Sequence, residues 1–207
     1  MGYTLPMFPL SNVVFPFMLL PLHIFEDRYR ALMSDLKQTD EPEFGVVLIQ
    51  RGWEVGGGEE RADLGTAVRL LDAEEIEGGR WVAVSAGIRR IRVTKWLPDD
   101  PYPLAVVEDV KDLEVSDDGE QLRDTAFHLV RKVAALQAEL GEPGAPIDFE
   151  LAADPAIASY QAAALSPIGP LDAQRLLVID DPTSRLWELT EMLREQIDSL
   201  ELQLAAG

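Results

Sequence analysis

Apolar residues recur along this chain with two different periods, and the change falls near residue 114. In the first part they form short runs divided by turn signals. Phe44-Gly45-Val46-Val47-Leu48-Ile49 is continuously apolar, the pattern of a strand buried on both faces. Thr66–Leu71, Trp81–Ala86, Arg89–Lys95 and Leu104–Val110 are further strand candidates, rich in Val and Ile. Gly56-Gly57-Gly58, Gly78-Gly79 and Pro98-Asp99-Asp100-Pro101 mark turns between them. Tyr3–Leu10 and Val13–Leu20 predict extended pieces joined by a turn at Ser11-Asn12. One helix interrupts the strands, because Tyr29, Leu32, Met33 and Leu36 fall at i, i+3, i+4 and i+7. Ile88-Arg89-Arg90-Ile91-Arg92-Val93 breaks simple alternation: Ile88 has even parity, Ile91 and Val93 odd. A strand points both sets inward only through a bulge or a change of face. Several short strands at this spacing predict a sandwich or a barrel.

Beyond residue 115 the period becomes helical. Leu122, Ala126, Leu129, Val133, Leu136 and Leu140 lie on one face of a helix ending near Gly141. Asp154-Pro155 gives an N-cap followed by Pro at the first helical position, opening a helix through about Leu165. Ser166-Pro167-Ile168-Gly169-Pro170 breaks it, and a short helix follows from about Leu171 to Val178. Asp181-Pro182 repeats the cap and opens a last helix whose seam is Leu186, Leu189, Leu193, Ile197, Leu200 and Leu204. The fold class is therefore α+β, with a β part over 1–114 and a helical part over 115–207. A small helical bundle is the economical way to bury two apolar seams. A seam left uncovered would be a partner surface or a homodimer interface.

Charge narrows the function. The 207 residues carry 18 Lys and Arg against 37 Asp and Glu, a net charge of −19. Such a surface repels polyanions, which disfavours nucleic acid and anionic membranes as partners. Residues 1–25 contain no charged side chain, but Pro6, Pro9, Pro16 and Pro21 interrupt them and no basic segment precedes them. That pattern is neither a signal peptide nor a spanning helix, so a cytoplasmic protein is expected.

Chemistry is sparse. With no cysteine, thiol nucleophiles and Cys-based metal sites are excluded. His23 lies in an apolar run and reads as a hydrogen-bonded structural residue; His128 reads as a boundary residue beside a helical seam. Two separated histidines predict no metal site and no Ser-His-Asp arrangement. None of Lys37, Lys95, Lys111 and Lys132 sits in a phosphate-binding loop, and Gly56-Gly57-Gly58 precedes Glu59-Glu60, which would repel phosphate. Arg89, Arg90 and Arg92 read as partners of the abundant carboxylates. No catalytic constellation and no cofactor are predicted.

The opening residues carry a resemblance. Leu5-Pro6-Met7-Phe8-Pro9-Leu10, Val13-Val14-Phe15-Pro16 and Leu20-Pro21-Leu22-His23-Ile24-Phe25-Glu26-Asp27-Arg28-Tyr29-Arg30 resemble the start of the Lon protease N-terminal (substrate-binding) domain. The likeness continues through Phe44-Gly45-Val46-Val47-Leu48, Gly65-Thr66-Ala67, Gly87-Ile88-Arg89-Arg90-Ile91 and Tyr102-Pro103-Leu104-Ala105. In the helical part, Asp172-Ala173-Gln174-Arg175-Leu176-Leu177 and Ser184-Arg185-Leu186 are also similar to that family. The resemblance implies a PUA-like β pseudo-barrel with one interrupting helix, then a helical subdomain, and a role in recognising protein or peptide. The ATPase and peptidase modules of full Lon proteases have no counterpart in these residues, so a stand-alone, non-catalytic form is expected. Its expected partners are unfolded or flexible polypeptides and a separate ATP-dependent protease. The resemblance supplies no site residues. Exposed aromatics and Met suit apolar peptides, which makes Phe15, Phe17 and Met18 among the prolines, Trp53 beside the glycine loop and Trp96 at a strand end the candidate contacts.

Overall fold

The computed structural model describes residues 2–51, 60–146 and 148–206. Trp53 and Gly56-Gly57-Gly58 lie outside them. The chain packs as two compact units, Met1–Lys111 and Asp112–Gly207.

The first unit is a 6-stranded antiparallel sheet with one helix. The strands are β1 (Tyr3–Pro6), β2 (Leu19–Ile24), β3 (Glu43–Arg51), β4 (Glu60–Ile76), β5 (Arg80–Leu97) and β6 (Leu104–Val110), and α1 (Asp27–Leu36) joins β2 to β3. Their order is β1-β6-β5-β4-β3, with β2 paired, among the described residues, to β5 alone. Residues after β1 return to β3: Met7 and Leu10 bridge Gly45 and Leu48 in parallel, and the Leu10 N–H donates to the Val47 carbonyl at 3.0 Å. The pairing thus closes on itself. Of the expected extended pieces, Tyr3–Leu10 is strand only over β1, Tyr3–Pro6, and Val13–Leu20 is displaced: residues 13–18 are not strand, and β2 begins at Leu19 and runs on to Ile24. Pro9 and Pro16 have no N–H to give a ladder in the stretch between the two strands.

Trp81–Ala86 and Arg89–Lys95 are one strand, β5, continued through a bulge. Gly87 faces Val68 and Arg89 faces Ala67, so Ile88 is the extra residue. The parity conflict in the sequence is resolved at that point. Trp81 and Ala83, before the bulge, pack in one core with Phe8, Tyr29, Phe44 and Val46. Ile91 and Val93, after it, pack in a second core with Met7, Val47, Ala67 and Val107. Val46 and Val47 face different cores, which is why β3 is apolar at successive positions. The stripe on α1 is buried as expected, with the Tyr29 ring stacked on Phe8 at 4.0 Å between centroids.

The second unit contains α2 (Gly119–Glu139), α3 (Pro155–Leu165), α4 (Pro170–Val178) and α5 (Pro182–Ala206). Asp154 caps α3 by accepting from the Ala156 N–H at 2.8 Å. The Asp181 carboxylate accepts from the Thr183 and Ser184 N–H groups at the start of α5. Its pKa is held low, chiefly by a hydrogen bond from the Ser184 hydroxyl. On α2 the buried stripe is Ala126, Val130, Val133, Ala134 and Gln137, with Leu122, Leu129 and Leu136 at its margin. His128 is exposed rather than at the boundary. On α5, Leu186, Leu189, Leu193, Ile197 and Leu200 are buried within the unit, against α2 and α3. The seam is filled from inside from Leu186 to Leu200, while Leu204 at its end is half-buried. Among the described residues no helix is long and apolar enough to cross a membrane.

Arg185 ties this unit together. It is fully buried. Its guanidinium donates to the Ser159 hydroxyl (2.7 Å), the Asp112 carboxylate (2.9 Å), the Ile179 carbonyl (2.5 Å) and the Leu176 carbonyl (3.3 Å). It also lies 3.9 Å over the Tyr160 ring, whose hydroxyl donates to the same Asp112 oxygen. Buried charge is tolerated only when satisfied in this way. Arg185→Met removes the charged partner of the Asp112 carboxylate and one donor from each of three other acceptors, so we expect it to destabilise the second unit by about 3 kcal/mol or more. Amide exchange over 112–206 in the full chain measures this.

Candidate functional site

The face of β2 turned away from α1 follows from alternation. Leu22 and Ile24 point into the first core, so Leu19, Pro21, His23 and Phe25 point to solvent. The antiparallel register sets Leu19, Pro21 and His23 opposite Ala86, Val84 and Val82 of β5. On the other side of β5, Val84 and Val82 face Asp72 and Glu74 of β4. A second bulge, at Leu71, turns that side chain outward as well. The result is an apolar shelf on one sheet face, in which Leu19 is 62% exposed, Phe25 62%, Leu71 56% and Val84 39%. From Leu19 to Phe25 it extends about 20 Å, at about 3.3 Å per residue.

Phe17 stands at one end. The Met18 N–H donates to the Phe15 carbonyl at 3.2 Å, closing a turn over Pro16 and Phe17. Phe17 has φ of 65°, the left-handed region that bulky residues avoid. It is held there by its N–H on the Gly87 carbonyl and the Gly87 N–H on the Met18 carbonyl. Gly87 is required for this approach, since a Cβ there would sit 2.2 Å from the Phe15 carbonyl oxygen. At the other end, His23, Ile24, Phe25, Ile76, Arg80 and Trp81 line a cavity of about 230 Å³. His23 is exposed on this face, not the internal structural residue its apolar setting suggests.

The sequence-derived candidates are only partly brought together. Phe17, 50% exposed, and the half-buried Met18 lead into the shelf. Phe15, 2% exposed, is inside the unit. Trp96 is at the far end of β5, half-buried against the second core, with the Arg61 guanidinium 4.2 Å over its ring. Leu19, Phe25, Leu71 and Val84 escaped the sequence reading. Pairing β2 with β5 in register was the signal that would have found the first two.

A polar belt separates the shelf from the second core. Glu43 binds Arg69 (2.6 Å) and Arg89 (2.8 Å), and Arg89 binds Asp109 (2.8 Å) and the Tyr3 hydroxyl (2.7 Å). Arg89 therefore pairs with carboxylates, as expected, while Arg90 is buried and donates to the Lys111 carbonyl. Burial works to raise the Glu43 and Asp109 carboxyls. Hydrogen bonds to Glu43 from Arg69 and Arg89, and to Asp109 from Tyr3 and Arg89, outweigh it and hold both below their ordinary values.

Comparison with known proteins places this arrangement in a family. The family model for the ATP-dependent protease La (LON) substrate-binding domain matches residues 4–195, and the chain belongs to that family. It is 29% identical over 217 residues to a Lon protease of Syntrophus aciditrophicus, covering 96% of this chain and 26% of the relative. It is 34% identical over 142 residues to a Lon protease of Anaeromyxobacter dehalogenans, covering 66% of this chain and 16% of the relative. The chain thus spans about a quarter or less of the length of these relatives. A crystal structure of a Lon N-terminal domain protein from Xanthomonas campestris superposes with a TM-score of 0.64 at 28% identity, covering 90% of this chain and 96% of that one. The N-terminal domain of a Mycobacterium avium complex Lon protease gives 0.71 at 20% identity, covering 93% and 98%, a likeness of fold.

Two outcomes are expected. A carboxylate with a lowered folded pKa contributes stability above its unfolded value, and that contribution is lost as pH falls through the folded one. The Glu43 contribution is therefore intact above the ordinary glutamate value of 4.5 and lost below it. Urea unfolding across that range should show a smaller acid-side loss in Glu43→Gln than in the parent chain. Phe17→Asn suits a left-handed backbone better, so thermal unfolding should show a gain of about 0.5–1 kcal/mol.

Proposed function

We propose that this chain is a non-catalytic module that recognises polypeptide, holding unfolded or extended segments on the shelf of the first unit. The observation that carries this reading is the run of large apolar side chains left in water along β2, β5 and β4. Contiguous apolar patches on soluble proteins mark interaction sites, and this chain belongs to a family described as a substrate-binding domain. A surface of this kind acts by complementarity, so nucleotide hydrolysis and peptide cleavage fall to a partner. A separate ATP-dependent protease in the cytoplasm is the partner we assign, with this module as its adaptor or regulator. Phe17 and Met18 belong to the same surface, and Trp96 under Arg61 is a second, smaller contact. In the same reading the closed sheet is a PUA-like pseudo-barrel and the four helices form a bundle.

Burying two exposed apolar side chains is worth about 3 kcal/mol or more in total. The double variant Leu19→Ser/Phe25→Ser should therefore weaken capture of a chemically unfolded protein by about a hundredfold or more. Its thermal midpoint should hardly change, because both side chains are already largely in solvent. Unchanged capture would refute the shelf as the site, and ATP or peptide turnover by the purified chain would refute a non-catalytic role.

A further inference from the structure

The shelf ends at a guanidinium. Arg80 alternates with Val82 and Val84 along β5 and so points to the same face. The register sets Ile76 opposite Arg80 and Ile24 opposite Trp81, which brings Phe25, Arg80 and Ile76 together across β2, β5 and β4. Arg80 is exposed, and its Nε donates to the Glu77 carbonyl at 3.3 Å. That bond holds one edge of the fork. Among the described residues, neither Nη group has a hydrogen bond or an ion pair. Other cations at this end are engaged: Arg30, packed on the Gly79 turn, with Asp27 at 2.9 Å, and Lys37 with the Ala73 carbonyl and the Trp81 ring. The shelf's carboxylates lie elsewhere. Asp72 and Glu74 face Val84 and Val82 at the middle of the apolar row, and Glu75 faces Trp81 on the other side of the sheet. Glu77 meets Arg80 through its backbone, not its carboxylate. Beside the open fork is the cavity of about 230 Å³, whose apolar walls are Ile24, Phe25, Ile76 and Trp81. Small-molecule pockets run to about 300–1,000 Å³, so this one suits a single side chain.

Resting on the peptide-recognition reading above, we propose that the shelf captures the C-terminal end of an apolar chain, with the terminal carboxylate on Arg80 and the last side chain in the adjoining cavity. A guanidinium fork offers two parallel N–H groups to the two oxygens of one carboxylate. Only a C-terminal residue carries a carboxylate and an apolar side chain on the same Cα, which is the pair of features set side by side here. The preceding six residues then run over Val82, Val84 and Pro21 to Leu19, a span of about 20 Å at about 3.3 Å per residue. Asp72 and Glu74 repel an acidic side chain along the way. The net charge of −19 opposes an anion everywhere else on the chain, so capture of one at this end depends on Arg80. An exposed ion pair changes an equilibrium by up to about fivefold.

The test uses the full chain and three peptides, each fluorescent at its N-terminus and sharing one apolar sequence that ends in leucine. The first ends there as the free acid, the second as the amide, and the third is a free acid extended by Gly-Ser-Gly. Anisotropy should show the first binding about fivefold tighter than either of the others at about 50 mM salt, with the gap closing at about 500 mM. Arg80→Gln should abolish that gap and leave binding of the amide unchanged, which also shows that the variant is folded. Lys95→Gln removes the same charge from an exposed position toward the other end of β5 and should leave the gap intact. Ending the free acid in alanine should weaken it about tenfold, and an alanine end that binds as well as leucine would overturn the proposal. Equal affinity for acid and amide, with binding still lost in Leu19→Ser/Phe25→Ser, would overturn terminal capture and leave the recognition reading standing. An extended acid that matches the unextended one would overturn it by assigning the preference to any nearby carboxylate. A gap that shrinks equally in Arg80→Gln and Lys95→Gln would overturn it by assigning the preference to overall charge. Failure of all three peptides to bind would remove the recognition reading and this inference with it.

Discussion

The bulge at Ile88 turns one face of the sheet from outside to inside. Before it, the odd-numbered residues of β5 face the core under α1, and Val82 and Val84 face out. After it, odd-numbered Ile91 and Val93 occupy the opposite face, which closes around the second core. An unbulged strand of this sequence would expose either Trp81 and Ala83 or Ile91 and Val93. The sheet face that lines the second core at one end of β5 is thus the face that carries the shelf at the other. The shelf is the unclosed continuation of an interior surface, which accounts for its apolar side chains. Gly87 precedes the bulge and carries the Phe17 turn on its backbone, so one short stretch sets both the closure and one end of the candidate site.

Between interior and shelf, the same face needs a boundary that water can wet. Glu43, Arg69, Arg89, Asp109 and Tyr3 supply it. Arginine suits this position because its fork serves several acceptors at once: Arg89 binds two carboxylates and a phenol. Arg185 applies the same chemistry in the second unit, where the acceptors are backbone carbonyls, a hydroxyl and Asp112. In both units one guanidinium joins segments distant in sequence, from Tyr3 to Asp109 in the first and from Asp112 to Arg185 in the second.

Much of this was legible in the residues. The α1 stripe, the α5 seam, the Asp154 and Asp181 caps and the doubly buried β3 are local patterns, and each is present in the structure. The parity break at Ile88 was readable as a bulge, but its consequence was not, because which face closes depends on the return of Met7 and Leu10 to β3. The α2 stripe was misplaced by about a sixth of a turn. Summed side-chain size favours the Leu row, whereas close packing against α5 selects the smaller Ala126, Val130 and Ala134. The shelf was missed for a related reason. Leu19 and Phe25 sit in one long apolar run, and nothing local distinguishes them from Leu22 and Ile24, which are core. Phe15 and Phe17 show the same limit: two residues apart among prolines, one is inside and the other at a turn tip.

An exposed apolar face beside an unpaired strand edge invites sheet-to-sheet association. β2 pairs with β5 alone, so its other edge has no ladder among the described residues. Pro21 stands in the middle of that strand. Ladder alternation from the Gly87–Met18 bond directs Leu20, Leu22 and Ile24 to β5 and turns the backbone of Leu19, Pro21 and His23 outward. The outward edge therefore lacks a donor at its centre, where a second strand would need one. The net charge of −19 opposes stacking of one copy's shelf on another. Both features leave the side-chain face open while discouraging backbone pairing and self-contact. A surface arranged in this way favours partners that differ from the chain itself: apolar enough for Leu19 and Phe25, and without the acidic excess that keeps two copies apart.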